Sequence, residues 1–371
     1  MSIRKILFVT LVKIDSLEES SIYQDLMSKF VSEGYHVTII CPRERRYGFN
    51  SKIIYFDNVK IIQVKSLNIQ KTNVFEKTIS TFLIEFLYII SFLKNCKKES
   101  YDIGVFTTPP IFLTNFIKFL SKKNVKVKYL LLKDIFPQNA LDLNITTKYS
   151  PFYLYSRFIE KILYKKVDFI GCMSKANLNF ILKHNSIDKK KLEINPNTID
   201  VSKYPKKKNY NQSLKGINLI YGGNLGLPQN PILIAEFISQ LELIDDVFFK
   251  IFGNGTGFIF LKNYIKKNKI RKTIIKSNLS KEMYFDELEK SDIGLIFLNE
   301  NFTIPNFPSR ILDYLYYDLA IISNTDNNTD IIDMILNNKI GKCFFGINEI
   351  CKMIKEIKKI RDNYDYLKSL K

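Results

Sequence analysis

The chain has no tryptophan, only two histidines, and five cysteines that never form a CxxC pair. These absences narrow the chemistry. His36 sits at a strand start and His184 follows a helix. Neither has a carboxylate or cysteine near it in sequence, so no catalytic triad and no histidine metal cluster can be read. Cys41, Cys96, Cys172, Cys343 and Cys351 are scattered and odd in number, a pattern of reducing compartments. No apolar run reaches the roughly 20 residues of a membrane-spanning helix. Residues 1–10 read as a short buried strand rather than a cleavable leader. No helix-turn-helix, RNP or zinc-finger pattern accompanies the net charge of +19, so nucleic acid is not the expected partner.

The charge is carried largely by lysine in a chain also rich in Ile and Asn, a bias that genome composition alone would produce. Its placement is more telling, because bases flank apolar helices. The run 79–93, interrupted by Glu85, leads into Lys94, Lys97 and Lys98. Residues 152–167 mix Phe, Tyr and Ile with Arg157, Lys161, Lys165 and Lys166. Both segments read either as core helices or as helices lying on an anionic membrane surface.

A length of 371 residues suits two domains of ordinary size. Apolar strands at 5–10, 37–41, 61–64, 103–106, 128–132, 169–173 and 192–195 alternate with helical segments, the first at 21–33. This is βαβ patterning, which implies parallel sheets. Residues 200–216 are polar, basic and without periodicity, a linker by composition. Alternation then resumes, with strands at 217–221, 247–252, 273–276, 293–297 and 320–323. The expected fold is α/β, with two Rossmann-like doubly wound domains at 1–199 and 217–371 facing each other across a cleft. Ligands of such sheets bind at the carboxyl ends of the strands.

Three post-strand loops of the second half carry glycine or proline in suggestive places: Gly222-Gly223-Asn224-Leu225-Gly226, Gly253-Asn254-Gly255-Thr256-Gly257 and Pro305 to Ser309. Each alone reads as a tight turn, whereas three in one sheet read as a ligand cradle. Pro308 and Ser309 predict a helix start, with Ser309 as N-cap, Arg310 on the first turn and Asp313 one turn on. An ordinary capped helix and an anion site both fit that pattern. In the first half, Thr107 to Pro110 and Lys133 to Asn139 follow strands. Asp134 there is either a general base or the cap of the next helix.

In order, Tyr221-Gly-Gly-Asn-Leu-Gly, Phe252-Gly-Asn-Gly, Ser291-Asp-Ile-Gly-Leu-Ile-Phe-Leu and Pro308-Ser-Arg-Ile-Leu-Asp-Tyr-Leu resemble the second domain of family 4 glycosyltransferases. Lys133-Asp-Ile-Phe-Pro-Gln-Asn and Ile194-Asn-Pro-Asn-Thr-Ile-Asp resemble landmarks of its WbuB-like subgroup. The resemblance implies a GT-B fold and metal-independent, cofactor-free, retaining transfer from a nucleotide diphosphate sugar, UDP-linked in the subgroup. It implies a polyprenyl-diphosphate-linked saccharide as acceptor, in O-antigen or capsule assembly. It also implies a cytoplasmic protein peripheral to the inner face of the bacterial membrane. Carried over, Asp313 holds the ribose, and Pro308, Ser309 and Arg310 form the phosphate-binding helix start. Gly222, Gly223, Asn224 and Gln229 line the donor diphosphate, with Gly253, Asn254 and Gly255 beside the nucleotide. Asp134 and Gln138 face the acceptor, and Asp134, Arg310 and Asp313 are the expected catalytic residues.

The chain also departs from the family. Pro305 stands where E-x7-E has its first Glu, Leu227-Pro228-Gln229-Asn230 where a Lys is common, and Ile14-Asp15-Ser16-Leu17-Glu18 where a Gly-Gly turn is usual. The tail 361–371 is short for a helix crossing back to the first domain. A sugar-nucleotide 2-epimerase and a catalytically silent binding partner are the competing readings.

Overall fold

The computed structural model describes residues 4–48, 50–69, 74–108, 111–207 and 216–371. The chain divides into two compact units, Met1–Asp200 and Val201–Lys371.

Among the described residues, the first unit is built on eight strands: β1 (Lys5–Val9), β2 (His36–Glu44), β3 (Lys52–Phe56), β4 (Val59–Ser66), β5 (Tyr101–Thr107), β6 (Val125–Leu132), β7 (Phe169–Cys172) and β8 (Leu192–Ile194). Their order is β3-β4-β2-β1-β5-β6-β7-β8, and only the β3–β4 pair is antiparallel. Ile6 lies beside Val37 on one side and Ile103 on the other. The strands are apolar on both faces because helices cover both. Ile6, Phe8, Ile39 and Ile61 pack with Met27 of the helix Ile22–Ser32. That helix begins where Ser21 accepts from the Gln24 amide at 3.3 Å. The strand β3 is absent from the sequence reading. Ile53, Tyr55 and Phe56 of this edge strand are exposed, so it lacks the buried apolar signature.

The second unit carries β9 (Ile217–Gly222), β10 (Val247–Phe252), β11 (Thr273–Lys276), β12 (Ile293–Phe297), β13 (Ala320–Thr325) and β14 (Gly341–Phe345) in the all-parallel order β11-β10-β9-β12-β13-β14. Its core joins Leu219, Phe249 and Leu295 to Phe237 and Ile238 of the helix Pro231–Leu241. The helices Ile350–Asp362 and Tyr364–Ser369 add Ile357, Ile360, Leu367 and Leu370 to that core. The short tail is therefore a docked element of this unit.

The expected linker 200–216 is structured at its start. Val201–Lys203 makes one 3₁₀ turn, and Tyr204 is buried against Phe285 and Tyr316 of the second unit. Residues 208–215 lie outside the described residues.

Candidate functional site

In the second sheet β9 is flanked by β10 on one side and β12 on the other, the arrangement at which a doubly wound sheet changes winding direction. The strands β9 and β12 pair only through Leu219–Ile293 and Ile220–Gly294. Beyond that they part, and Tyr314 fills the gap. Its hydroxyl donates to the Leu295 carbonyl at 3.1 Å and receives the Gly222 amide at 3.4 Å. The ring lies so close over Gly294 that a Cβ there would overlap it.

One residue past the end of β9, Gly223 adopts φ +128, and a side chain there would crowd the Arg310 guanidinium. That guanidinium lies over the Tyr221 ring, 4.3 Å from its centroid. Its Nη1 is buried without a hydrogen-bond partner among the described residues, as is the hydroxyl of Tyr284, which lies against Gly222. Burial opposes the Arg310 charge and the surrounding tyrosines outweigh that effect, so the group stays cationic. The strand ends at the winding switch thus hold an under-satisfied cation.

The glycine loops brace one another. The Gly223 amide donates to Phe252 O at 2.9 Å, and Leu225 N to Asn254 O at 2.8 Å. Gly253 packs directly on the Gly223 carbonyl, and Gly255, at φ +145, lies against Asn224. The loop after β12 joins in, because Asn299 N donates to Pro228 O at 2.8 Å. Gln229, expected at the donor diphosphate, has a role inside the loop. It is buried, and its Oε1 accepts from Asn224 Nδ2 at 2.9 Å and Gly226 N at 3.1 Å. It is an internal brace, because an amide carbonyl satisfies two loop donors that would otherwise be orphaned.

Ser309 is corrected too. It has helical φ and ψ (−63, −23), and its side chain caps nothing. The helix Arg310–Tyr316 starts from a tight turn in which Leu312 N bonds Ser309 O at 3.0 Å and Ile311 N bonds Pro308 O at 3.4 Å. Those two amides are occupied, so anion affinity at this end falls to Arg310 more than to the helix.

Asp313 is half-buried and accepts from the Tyr204 hydroxyl at 2.6 Å. Burial raises its carboxyl above the ordinary range, opposed by the Tyr204 bond and by Lys281 and Arg310. Lys281 lies 5.5 Å from the Tyr204 ring centroid. Tyr204, Tyr284 and Lys281 are absent from the sequence reading. They sit on a segment read as linker and on a helix face with no motif.

In the first unit, Asp134 stands just past β6. Its amide bonds Thr108 Oγ1 at 3.2 Å, and the next helix, Gln138–Asp142, starts at Pro137 without a side-chain cap. The capping role is thereby excluded. Burial alone pushes the Asp134 carboxyl up to about 6, and burial, with a smaller part from the Asp134 charge, raises the neighbouring Tyr23 hydroxyl to about 12. Lys133 points elsewhere, to Asn197 Oδ1 at 2.6 Å, and burial lowers its ammonium to about 8. Gln138, expected on the acceptor side, is committed to the fold. Its Nε2 donates to Asp142 at 2.8 Å and its Oε1 accepts from Tyr153 at 3.0 Å. Of Thr107 to Pro110, residues 109–110 lie outside the described residues. Among the described residues no three His, Cys, Asp or Glu side chains cluster as metal ligands.

No protein-family profile matches the sequence, and comparison with curated proteins finds no match either. Solved structures do match. Sucrose-phosphate synthase from Thermosynechococcus elongatus superposes with a TM-score of 0.73 at 9% identity, over 99% of this chain and 92% of that one. WaaG, a glycosyltransferase involved in lipopolysaccharide biosynthesis, gives 0.64 at 11%, over 98% and 94%. An E. coli trehalose-6-phosphate protein bound with UDP-2-fluoro glucose gives 0.65 at 10%, over 98% and 97%. The fold is GT-B. Each GT-B unit is the Rossmann-like sheet expected from the sequence, and the neighbours are GT-B glycosyltransferases. Identities this low speak for the fold alone. Among the described residues no helix of this GT-B chain is long and apolar enough to cross a membrane.

Proposed function

We propose that the protein is a glycosyltransferase that takes a sugar from a nucleotide diphosphate donor, UDP-linked by preference. The observation that carries this reading is Arg310, whose guanidinium stands beside Gly223 at the winding switch of the second sheet with its Nη1 buried and unpartnered among the described residues. A buried cation that is only partly satisfied is costly, and an anion placed there relieves the cost. The leaving group of sugar transfer is a diphosphate, on which charge grows as the bond breaks, so a preorganised donor favours the transition state over the ground state. Asp313 is the ribose-holding carboxylate, and Gly222, Gly223, Asn224, Gly253, Asn254 and Gly255 let backbone approach the donor. Transfer needs no metal ion or other cofactor, because Arg310 supplies the charge a metal ion supplies elsewhere, and the motif resemblance supports retention of anomeric configuration. Asp134 is the acceptor-side base. The acceptor is a polyprenyl-diphosphate-linked saccharide of surface-polysaccharide assembly at the inner membrane face, a reading supported by the WaaG likeness and the motif resemblance.

The deciding experiment is thermal stabilisation by UDP, GDP, ADP and CMP. Ligand at a hundredfold its dissociation constant adds about 2.7 kcal/mol, a shift of several degrees. One nucleoside diphosphate should give the shift and Asp313→Ala should remove most of it. Tyr204→Phe, which spares the carboxylate, should leave the shift in place. No shift with any nucleotide would sink the donor-site reading.

Asp134 carries a pH signature. Its folded value of about 6 lies above the ordinary 3.8, so folding favours the protonated form. The stability this lends is full below about pH 4 and is lost as pH rises through 6, about 1–3 kcal/mol in all. Asp134→Asn, which mimics the neutral carboxyl, is expected to be more stable than wild type at pH 7.5 and no more stable at pH 4. Transfer by wild type should rise with an inflection near pH 6, and the variant should lose both the inflection and most of the rate. A variant with an unchanged pH–rate profile would remove Asp134 from the mechanism.

A further inference from the structure

The helix Val74–Asn95 is 22 residues long, about 33 Å, and it packs only one side against the sheet. Ile84, Tyr88 and Phe92 are buried on that side. Glu85, the single charge between positions 79 and 93, also turns inward. It accepts from Phe116 N at 2.9 Å and Asn115 Nδ2 at 2.8 Å, tying down the helix Thr114–Phe119. The side facing away from the core is therefore uncharged over four turns. Ile79, Leu83, Phe86, Ile90 and Leu93 recur there at spacings of four, three, four and three, and Phe86 and Ile90 are 61% and 62% exposed.

The apolar surface continues onto neighbouring elements. Thr114–Phe119 packs against both Val74–Asn95 and the helix Pro151–Lys166. It exposes Phe119, while the second helix exposes Leu154, Tyr155 and Phe158, the last at 60%. A surface helix of a soluble domain carries polar residues on its outer face, and this one does not. Large apolar side chains exposed on three successively packed helices mark an interaction surface.

The charges say which kind. Lys94, Lys97 and Lys98 follow the first stripe, Lys118 sits beside Phe119, and Lys161 and Lys165 follow Phe158 on its own helix. All six are exposed, and none is in an ion pair among the described residues.

We propose that this face of the first unit docks onto an anionic lipid bilayer, with its apolar side chains at the acyl boundary and its lysines at the headgroup phosphates. A second copy of the chain is a poor occupant, because it would bring twelve lysines together in molecules of net charge +19 each. A bilayer offers apolar depth and negative charge at once, the combination that interfacial helices exploit. This deepens the proposed lipid-linked acceptor by naming the surface that brings the protein to it. Its test needs no nucleotide.

The full chain is sedimented with vesicles of phosphatidylcholine, with and without about 30% phosphatidylglycerol. Wild type should pellet with the anionic vesicles and far less with the neutral ones, and should be partly released at about 0.5 M salt. Phe86→Asp with Ile90→Asp should cut the bound fraction at least tenfold. It should leave the melting temperature and any nucleotide-induced shift unchanged, because both side chains are exposed. Phe158→Asp, on another helix, should weaken binding in the same direction. The proposal falls if wild type stays in the supernatant or if the double variant pellets like wild type. It also falls if the face proves to join two copies, seen as a wild-type dimer by light scattering that the double variant converts to monomer without any vesicle binding. Vesicle binding without nucleotide binding would overturn the transferase reading and leave this one standing.

Discussion

Arg310→Ala is expected to lower sugar transfer by about 10²–10³-fold, the usual cost of removing a preorganised donor from a developing anion. Its melting temperature should stay where it is or rise. The wild-type guanidinium lies on the Tyr221 ring with Nη1 buried and unpartnered, so alanine removes a desolvated charge along with a ring contact. That combination, a large loss of rate without loss of fold, separates a group held ready for a ligand from a structural one. Arg310→Lys keeps the charge but cannot reproduce the planar fork or its stacking on Tyr221, so it should recover only part of the rate. The comparison is made by donor hydrolysis or transfer at saturating donor, beside thermal unfolding of each variant. Transfer at the wild-type rate in Arg310→Ala would leave the proposed chemistry without its cation. Unfolding of the variant with full activity in the surviving fraction would show that the residue serves the fold.

Gly253→Ala should have the largest effect on stability. A Cβ at that position falls on the Gly223 carbonyl, and the nearest atoms all belong to the Gly223 backbone, so no side chain can swing aside. The loops after β9 and β10 must then separate, breaking the Gly223–Phe252 hydrogen bond at the base of the donor cradle. Overpacking of this kind costs about 1–3 kcal/mol, or roughly 3–10 °C for a unit of this size. Nucleotide affinity should fall as well, because the displaced backbone is the one proposed to meet the diphosphate. Gly253 lies outside the left-handed region, so its loss would be steric. Gly34 is the converse case, with φ +83 and nothing within 4 Å of a Cβ, so Gly34→Ala reports backbone strain alone. An unchanged melting temperature in Gly253→Ala would mean that loop packing contributes nothing.

The sheets were legible because buried parallel strands leave a strong mark. The apolar runs at β1, β9 and β12 stand out against their polar loops, and the β–α alternation sets the winding. The edge strand β3 was not legible, since its exposed side chains have no need of apolar alternation. Within the site, the post-strand loops and the helix start pointed to Arg310, Asp313 and the glycines, which depend on residue type. The resemblance added Gln229 and Gln138, whose side chains bond within the fold, and the sequence pattern offered Ser309 as an N-cap, where its side chain caps nothing. Spacing does not distinguish an amide that braces a loop from one that meets a substrate. Tyr204 was hidden for the opposite reason, because its neighbours Lys206 to Asn209 gave the stretch a linker's composition.

The helix Arg310–Tyr316 has seven residues, too few to be stable alone. What sets its rotation about its own axis is Tyr314, whose ring is slotted over Gly294 and whose hydroxyl is pinned between β9 and β12. Each residue along a helix turns the side-chain direction by about 100°. Once Tyr314 is seated, the bearings of Asp313 and Arg310 follow from it. The acidic–aromatic pair therefore acts as an indexed part, the aromatic half fixing the angle and the acidic half presenting the function. A change that unseats the ring would swing the carboxylate and the guanidinium off their marks together, with neither residue having been altered.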